Sequence, residues 1–266
     1  MTTQLTAYIE GIGLLGPGLA NWLEGRAILL GQRSYQPQKT LIPAPELLPA
    51  AERRRASDIV KLTLATSLEA INAANQDAAS LPSVFSFSNG DGLNCHTICE
   101  TLASSDRQLS PTRFHNSVHN AAAGYWSIAT GAMATSSVLC AHDASFGAGL
   151  LDALTQVVVD ATRVVLMASD TPYPEPMHSA RPIPDNFGIA LVLAPQRSAQ
   201  AIVQIKVSVT HEHADRLADS ALEALRLAIP AARGLPLLLA IAQQQPGSVV
   251  LDYLGNTRLK VNIAPC

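Results

Sequence analysis

Apolar residues recur along the chain in two rhythms. Within residues 53–74, Ile59, Leu62, Leu64, Ala65, Leu68 and Ile71 fall largely on one face at helical spacing, which predicts the clearest helix. Weaker helical patterns cover 21–30, 96–102, the alanine-rich stretch 117–130, 146–160 and the amphipathic stretch 215–229. Short apolar or alternating runs predict strands at 7–15, 84–87, 136–141, 163–168, 187–193, 202–210 and 235–241, with terminal strands in 249–263. The runs 187–193 and 202–210 are expected to form a hairpin or to lie side by side. Two proline-rich stretches, 31–49 and 172–184, predict loops. Strands alternating with helices, with no short repeat and no long linker, argue for one layered α/β domain.

Composition narrows the function. Of 266 residues, 48% are hydrophobic and 15% charged, ample for a large core. Net charge is −3, and the one basic run, Arg53-Arg54-Arg55 behind Glu52, reads as a solvated helix start. A nucleic-acid partner would call for a basic stripe, so none is expected. The opening residues lack a charged n-region and a small-residue cleavage site. No uncharged apolar run reaches the roughly 20 residues that span a bilayer. A soluble, cytoplasmic chain with no membrane span is the expectation.

Cys95, Cys99, Cys140 and Cys266 are too sparse for a disulfide framework. Cys95 and Cys99, with His96 between, would face each other across one helical turn but lack the second ligand pair of a zinc site. They read as packed thiols, and neither metal nor cofactor is expected. Gly11-Ile12-Gly13-Leu14-Leu15-Gly16 matches a dinucleotide fingerprint after a strand. Pro17 and Gly18 interrupt the helix it needs, and no acidic residue stands between Glu24 and Glu46 to hold a ribose. The match is read as a tight strand-to-helix turn.

Three stretches together resemble the N-terminal half of the β-ketoacyl synthases, condensing enzymes of the thiolase-like fold. Tyr8-Ile-Glu-Gly-Ile-Gly-Leu-Leu-Gly-Pro-Gly is similar to the family's opening strand and turn. Ser110-Pro-Thr-Arg-Phe-His-Asn-Ser-Val-His-Asn-Ala-Ala-Ala-Gly-Tyr-Trp-Ser-Ile resembles its S-P-x-x-F…N-x-x-x-G-x-x-S-I segment. The strand–bend–helix at 136–154, the strand at 164–170 and Phe187-Gly-Ile-Ala-Leu-Val-Leu complete the likeness. It covers roughly residues 7–195, and the 196–266 remainder is too short for a full second half. The resemblance implies a layered α-β-α-β-α fold with a strongly shortened second half.

In the family, small residues, a cysteine, small residues and a glycine lead into the nucleophile helix. Laying Gly147 on that glycine puts Ala144 at the cysteine position, with Ser145 and Phe146 after it; Cys140 falls four residues early, inside the strand. The family's two histidines lie in His-Gly-Thr and Asn-x-x-x-Gly-His motifs of the second half. Here only His211 and His213 follow residue 195, and neither fits.

The resemblance therefore implies an inert homologue of the chain-length-factor type, as in aryl polyene clusters. Its partners would be an active β-ketoacyl synthase, an acyl carrier protein and the acyl chain in the partner's tunnel. Ser136, Ser137, Val138, Leu139, Cys140 and Ala141 would pair across the two-fold. Ser117, Asn120, Ala121, Ala122, Ala123 and Gly124 would meet the partner's tunnel, gated by Phe114, Val118 and His119. Tyr125 and Trp126 would be core or interface anchors. Two alternatives stand beside this reading. One is a small thioester acyltransferase or hydrolase using Cys140 or Ser145 with His142; the other is a free-standing carrier-protein binding module.

Overall fold

A computed structural model describes residues 4–266; the first three residues of the opening stretch lie outside it. The chain starts with β1 (Leu5–Leu15) and α1 (Trp22–Leu29), whose cap Asn21 accepts the Glu24 N–H. After a loop come α2 (Ala50–Arg55), α3 (Asp58–Ala73), β2 (Ser83–Ser86), α4 (Gly92–Ala103), α5 (Pro111–His115) and α6 (Ala121–Thr130). They are followed by β3 (Ser136–Leu139), α7 (Ser145–Val159), β4 (Val164–Asp170), α8 (Met177–Ala180) and β5 (Phe187–Ala194). The last portion holds β6 (Val203–Thr210), α9 (Ser220–Ala228), α10 (Leu235–Ala242), β7 (Gly247–Asp252) and β8 (Arg258–Pro265).

The strands form one sheet in the order β3-β2-β4-β5-β1-β6-β8-β7. β2 runs parallel to β3 and β4, and the remaining pairs are antiparallel. β1 serves both arms of the sheet. Leu5–Ile9 pairs with β6, Tyr8–Leu15 pairs with β5, and a bulge falls between Ile9 and Gly11. Glu10, at the bulge, has a fully buried side chain. It accepts two hydrogen bonds from Arg163, 2.8 and 3.3 Å, and one from the Ser198 hydroxyl, 2.6 Å.

Every residue of β4 and β5 is buried, because helices cover both faces of that arm. Val165, Met167, Ala190 and Val192 face α3 and α6 with Ile59, Ile71, Tyr125 and Trp126. Their neighbours Leu166, Leu191 and Leu193 belong to the core on the other face, under α7, with Phe146, Leu154 and Leu238. The inward residues of the other arm, Ile205, Val207, Leu251 and Val261, close on that same middle layer. Outward-facing Gln204, Lys206 and Ser208 on β6 are polar and at least partly exposed. The layered α/β architecture is thus present, and its shortened second half is the three-stranded arm β6-β8-β7.

Several local expectations are corrected. The apolar run from residue 235 is a helix, not a strand: Leu235, Leu237, Leu238 and Leu239 are good helix formers, and Pro236 is tolerated in a first turn. The presumed hairpin is not one, because β1 lies between β5 and β6. The long helix breaks at Ala56 and Ser57, both extended, so α3 restarts at Asp58. Residues 116–120 form a turn, and the helix expected at 117–130 begins at Ala121. The amphipathic helix α9 starts five residues later than expected, capped by Asp219. The glycine fingerprint is strand rather than turn up to Leu15. A Cβ on Gly11 or Gly13 would overlap the carbonyl oxygens of Ala70 or Thr66, so these glycines let α3 lie directly on β1.

Candidate functional site

Beyond β3 the chain leaves the sheet at Cys140, makes a 3₁₀ turn over His142–Ala144, and enters α7 at Ser145. The predicted strand therefore stops short of Cys140 and Ala141. Ala144 caps α7 and is 6% exposed. Cys140 is no packed core thiol: it is exposed, and its Sγ donates to the Ser88 carbonyl at 3.0 Å. Cys95 and Cys99 are exposed as well, against the expectation of packed thiols, and so is Cys266. Burial, together with Cys99, raises the Cys95 thiol above its ordinary value. Among the described residues, no three His, Cys, Asp or Glu side chains are arranged to hold a metal ion.

Ser145 is locked into the turn. Its Oγ accepts the Ala141 N–H at 3.1 Å and lies 2.7 and 3.2 Å from the carbonyl oxygens of His142 and Phe87. Its own carbonyl accepts the Ser86 hydroxyl at 2.6 Å. The His142 ring is 73% exposed beside Asp143, in a residue with φ +51. No described hydrogen bond joins that ring to the Cys140 thiol or the Ser145 hydroxyl. The nucleophile–base contact that serine or thiol chemistry requires is not assembled here.

Around the turn lies a cluster of charged groups drawn from distant parts of the chain. Asp143 meets Arg181 at 2.5 Å and Arg233 at 3.5 Å. Arg233 also reaches Asp252 at 3.3 Å, and Asp252 meets Arg226 at 2.5 Å. Arg226, only 5% exposed, pairs with Glu223 at 2.7 Å. Hydrogen bonding to Arg226 holds the Glu223 carboxyl below its usual range. Asp170, at the end of β4, is fully buried and accepts the N–H groups of Ser88 and Ala231 at 2.8 and 2.7 Å. Burial pushes its carboxyl up to about 6. None of these groups was visible as a motif, because Asp143, Arg181, Arg233 and Asp252 share no sequence spacing. Only Asp143, adjoining His142, lay inside the stretch that spacing singled out.

The sheet's two ends differ. β3 pairs with β2 on one side and, among the described residues, has no strand on the other. β7, at the opposite end, is closed off: Asp215 accepts the Val250 N–H at 2.8 Å and donates its own N–H to the Val250 carbonyl at 2.9 Å. Before α6, Phe114 and Val118 are 66% and 53% exposed, and Ser117 and Asn120 are also exposed, as is Gly124 in its first turn. His119 packs edge-on against Phe87 at 5.9 Å, and burial lowers its imidazole below the ordinary value. Ala122, Ala123, Tyr125 and Trp126 are buried in the α3-side core, with Ala121 half-buried.

A separate open cleft of about 1280 Å³ lies between α2, α5, α9 and the loops before α2 and β5. Lys39, Arg54 and Arg113 line it and take part in none of the described ion pairs. Its carboxylates are engaged: Asp58 pairs with Lys61, Asp91 accepts the Asn94 N–H, and Asp185 accepts the N–H groups of Thr40 and Asn186.

Comparison with known proteins identifies the fold. One chain of the ketosynthase (ApeO) in complex with its chain length factor (ApeC) from Xenorhabdus doucetiae superposes with a TM-score of 0.74 at 20% identity, over 97% of this chain and 99% of that one. A chain of the ishigamide ketosynthase/chain length factor gives 0.71 at 13% identity, over 98% and 99%. A chain of AntDE:AntF, a type II polyketide acyl-carrier protein in complex with its ketosynthase, gives 0.72 at 10% identity, over 99% and 100%. No curated protein matches the chain. No described helix is long and apolar enough to cross a membrane. The family model described as the N-terminal domain of β-ketoacyl synthase matches residues 30–245, and the chain belongs to that family.

Proposed function

We propose that this chain is a non-catalytic chain-length factor that pairs with an active β-ketoacyl synthase and shapes its acyl tunnel. The observation that carries the proposal is the alanine at the head of α7. A condensing enzyme needs a nucleophile there, and the nearest thiol and hydroxyl are engaged with main-chain groups. The neighbours described as ketosynthase and chain-length-factor complexes include chains matched end to end at this length. Residues 1–195 are read as the ketosynthase-like half and 196–266 as its abbreviated second half, together one domain.

The free edge of β3 supports the partnership. Ser136, Ser137, Val138 and Leu139 offer unpaired backbone groups, and a partner strand would continue the sheet through Cys140 and Ala141. Phe114, Ser117, Val118, His119, Asn120 and Gly124 form the face presented to the partner's tunnel. Ala121, Ala122 and Ala123 sit behind that face, where their small side chains let it pack closely on the core. The unpaired cations Lys39, Arg54 and Arg113 suit a carrier protein, whose prosthetic group bears a phosphate.

Co-expression with an active β-ketoacyl synthase, taken from the gene cluster that carries this chain, tests the proposal. A stable one-to-one complex is expected, with condensation activity that is absent from this chain alone. A homodimer that elongates acyl thioesters by itself would overturn the reading.

A further inference from the structure

We infer that the charged cluster around Asp143 is a clasp that holds the emptied reaction centre shut, so that the turn is closed as well as unarmed. The inference rests on Ala144 marking that centre. Its evidence is geometric. Asp143 belongs to the turn, whereas Arg233 and Asp252 come from the last portion of the chain, and Arg181 from the loop before β5. Two bidding arginines on one aspartate tie three separate segments across the mouth of α7. The last portion also lies directly on the first turn of that helix. A Cβ on Gly147 would stand 2.7 Å from the Asp252 carbonyl and 3.3 Å from the Tyr253 ring. A Cβ on Gly234 would stand 2.5 Å from the Phe146 ring, so only a glycine leaves room for that ring. A thioester reaching toward residue 144 would have to displace these contacts. The large cleft is lined by no residue between 140 and 147.

The arrangement gives the abbreviated second portion a defined task, that of a cover. Ion pairs at partly exposed positions are individually weak, and a network spanning three segments gains by holding each side chain in place for the next. Loosening one member should therefore open the cover locally while the core under it persists.

The test uses the full-length chain with its four cysteines changed to serine and Ala144→Cys added. Alkylation of the single thiol by iodoacetamide is timed in native buffer and in urea, alone and with the partner ketosynthase. Native labelling is expected to be about a hundredfold slower than in urea, and Arg181→Gln with Arg233→Gln should speed it about tenfold at little change in Tm. Arg181→Gln alone, at the more exposed position, serves should the double variant fold poorly. Labelling at the urea rate in the native chain would overturn the clasp, as would a slow rate that neither variant alters. Co-purification of the same variants with the ketosynthase reports separately on whether the pairing reading holds.

Discussion

Asp170 shows how a single side chain couples this fold to pH. Its carboxyl rises from an ordinary 3.8 to about 6 because burial outweighs the hydrogen bonds from Ser88 and Ala231 and the pull of Arg181. Between those two values the folded chain keeps a proton that the unfolded chain has lost. Stability from this group is therefore fully present below about pH 4, falls as pH rises to 6, and is level above it, a loss of roughly 3 kcal/mol. Glu223 and Glu212, both held low by basic partners, act in the opposite sense, so wild type and variant must be compared. Asp170→Asn should flatten the decline between pH 4 and 6 in urea titrations, and curves that stay parallel to wild type would refute the assignment. At this scale the sequence named Ala144 and Ser145 through their spacing to Gly147. It was silent on Asp170, whose importance comes from burial that no local pattern reports.

At the scale of elements, the readable parts were those whose environment is uniform along their length. α3 presents one apolar face to the sheet, and β4 and β5 are covered on both sides, so periodicity or continuous apolarity located them. The run at α10 was misread because eight successive apolar residues, six of them buried, carry no polar period, leaving strand and helix indistinguishable. The turn at 116–120 was missed because the alanines from Ala121 onward drew the helix reading back over residues 117–120, which are poor helix formers. β3 matters most for function. Thr135 and Leu139 direct their carbonyls to β2, so alternation turns the Val138 N–H away from the sheet, toward the open edge. Val138→Pro removes that donor at a position where an edge strand tolerates proline. The monomer's Tm should change little, whereas the complex with the ketosynthase should be lost in size-exclusion chromatography. A complex that survives would move the interface elsewhere. Gly13→Ala should instead unsettle the monomer, by about 3 kcal/mol in urea unfolding, since its methyl would collide with α3's backbone.

Across the whole molecule, β1 joins the two arms and Glu10 is the joint. At the bulge one strand passes from β6 to β5, and the buried carboxylate gathers Arg163 from the start of β4 and Ser198 from the β5–β6 connection. Arg163 is 38% exposed while Glu10 is wholly buried, so the two members of the pair are not equivalent. Removing the arginine leaves a desolvated charge behind; replacing the glutamate leaves only a solvent-reachable cation. Arg163→Met should therefore cost about 3 kcal/mol, and adding Glu10→Gln should restore much of that loss. Because the joint is shared, the loss should appear in both arms at once. Trp22 lies in α1 and Trp126 in α6, on different helical layers, and their fluorescence should follow the far-UV signal through one transition. Two separated transitions in the Arg163→Met chain would mean that the arms fold independently. The shortened second arm would then be an appended unit rather than the completion of a common core.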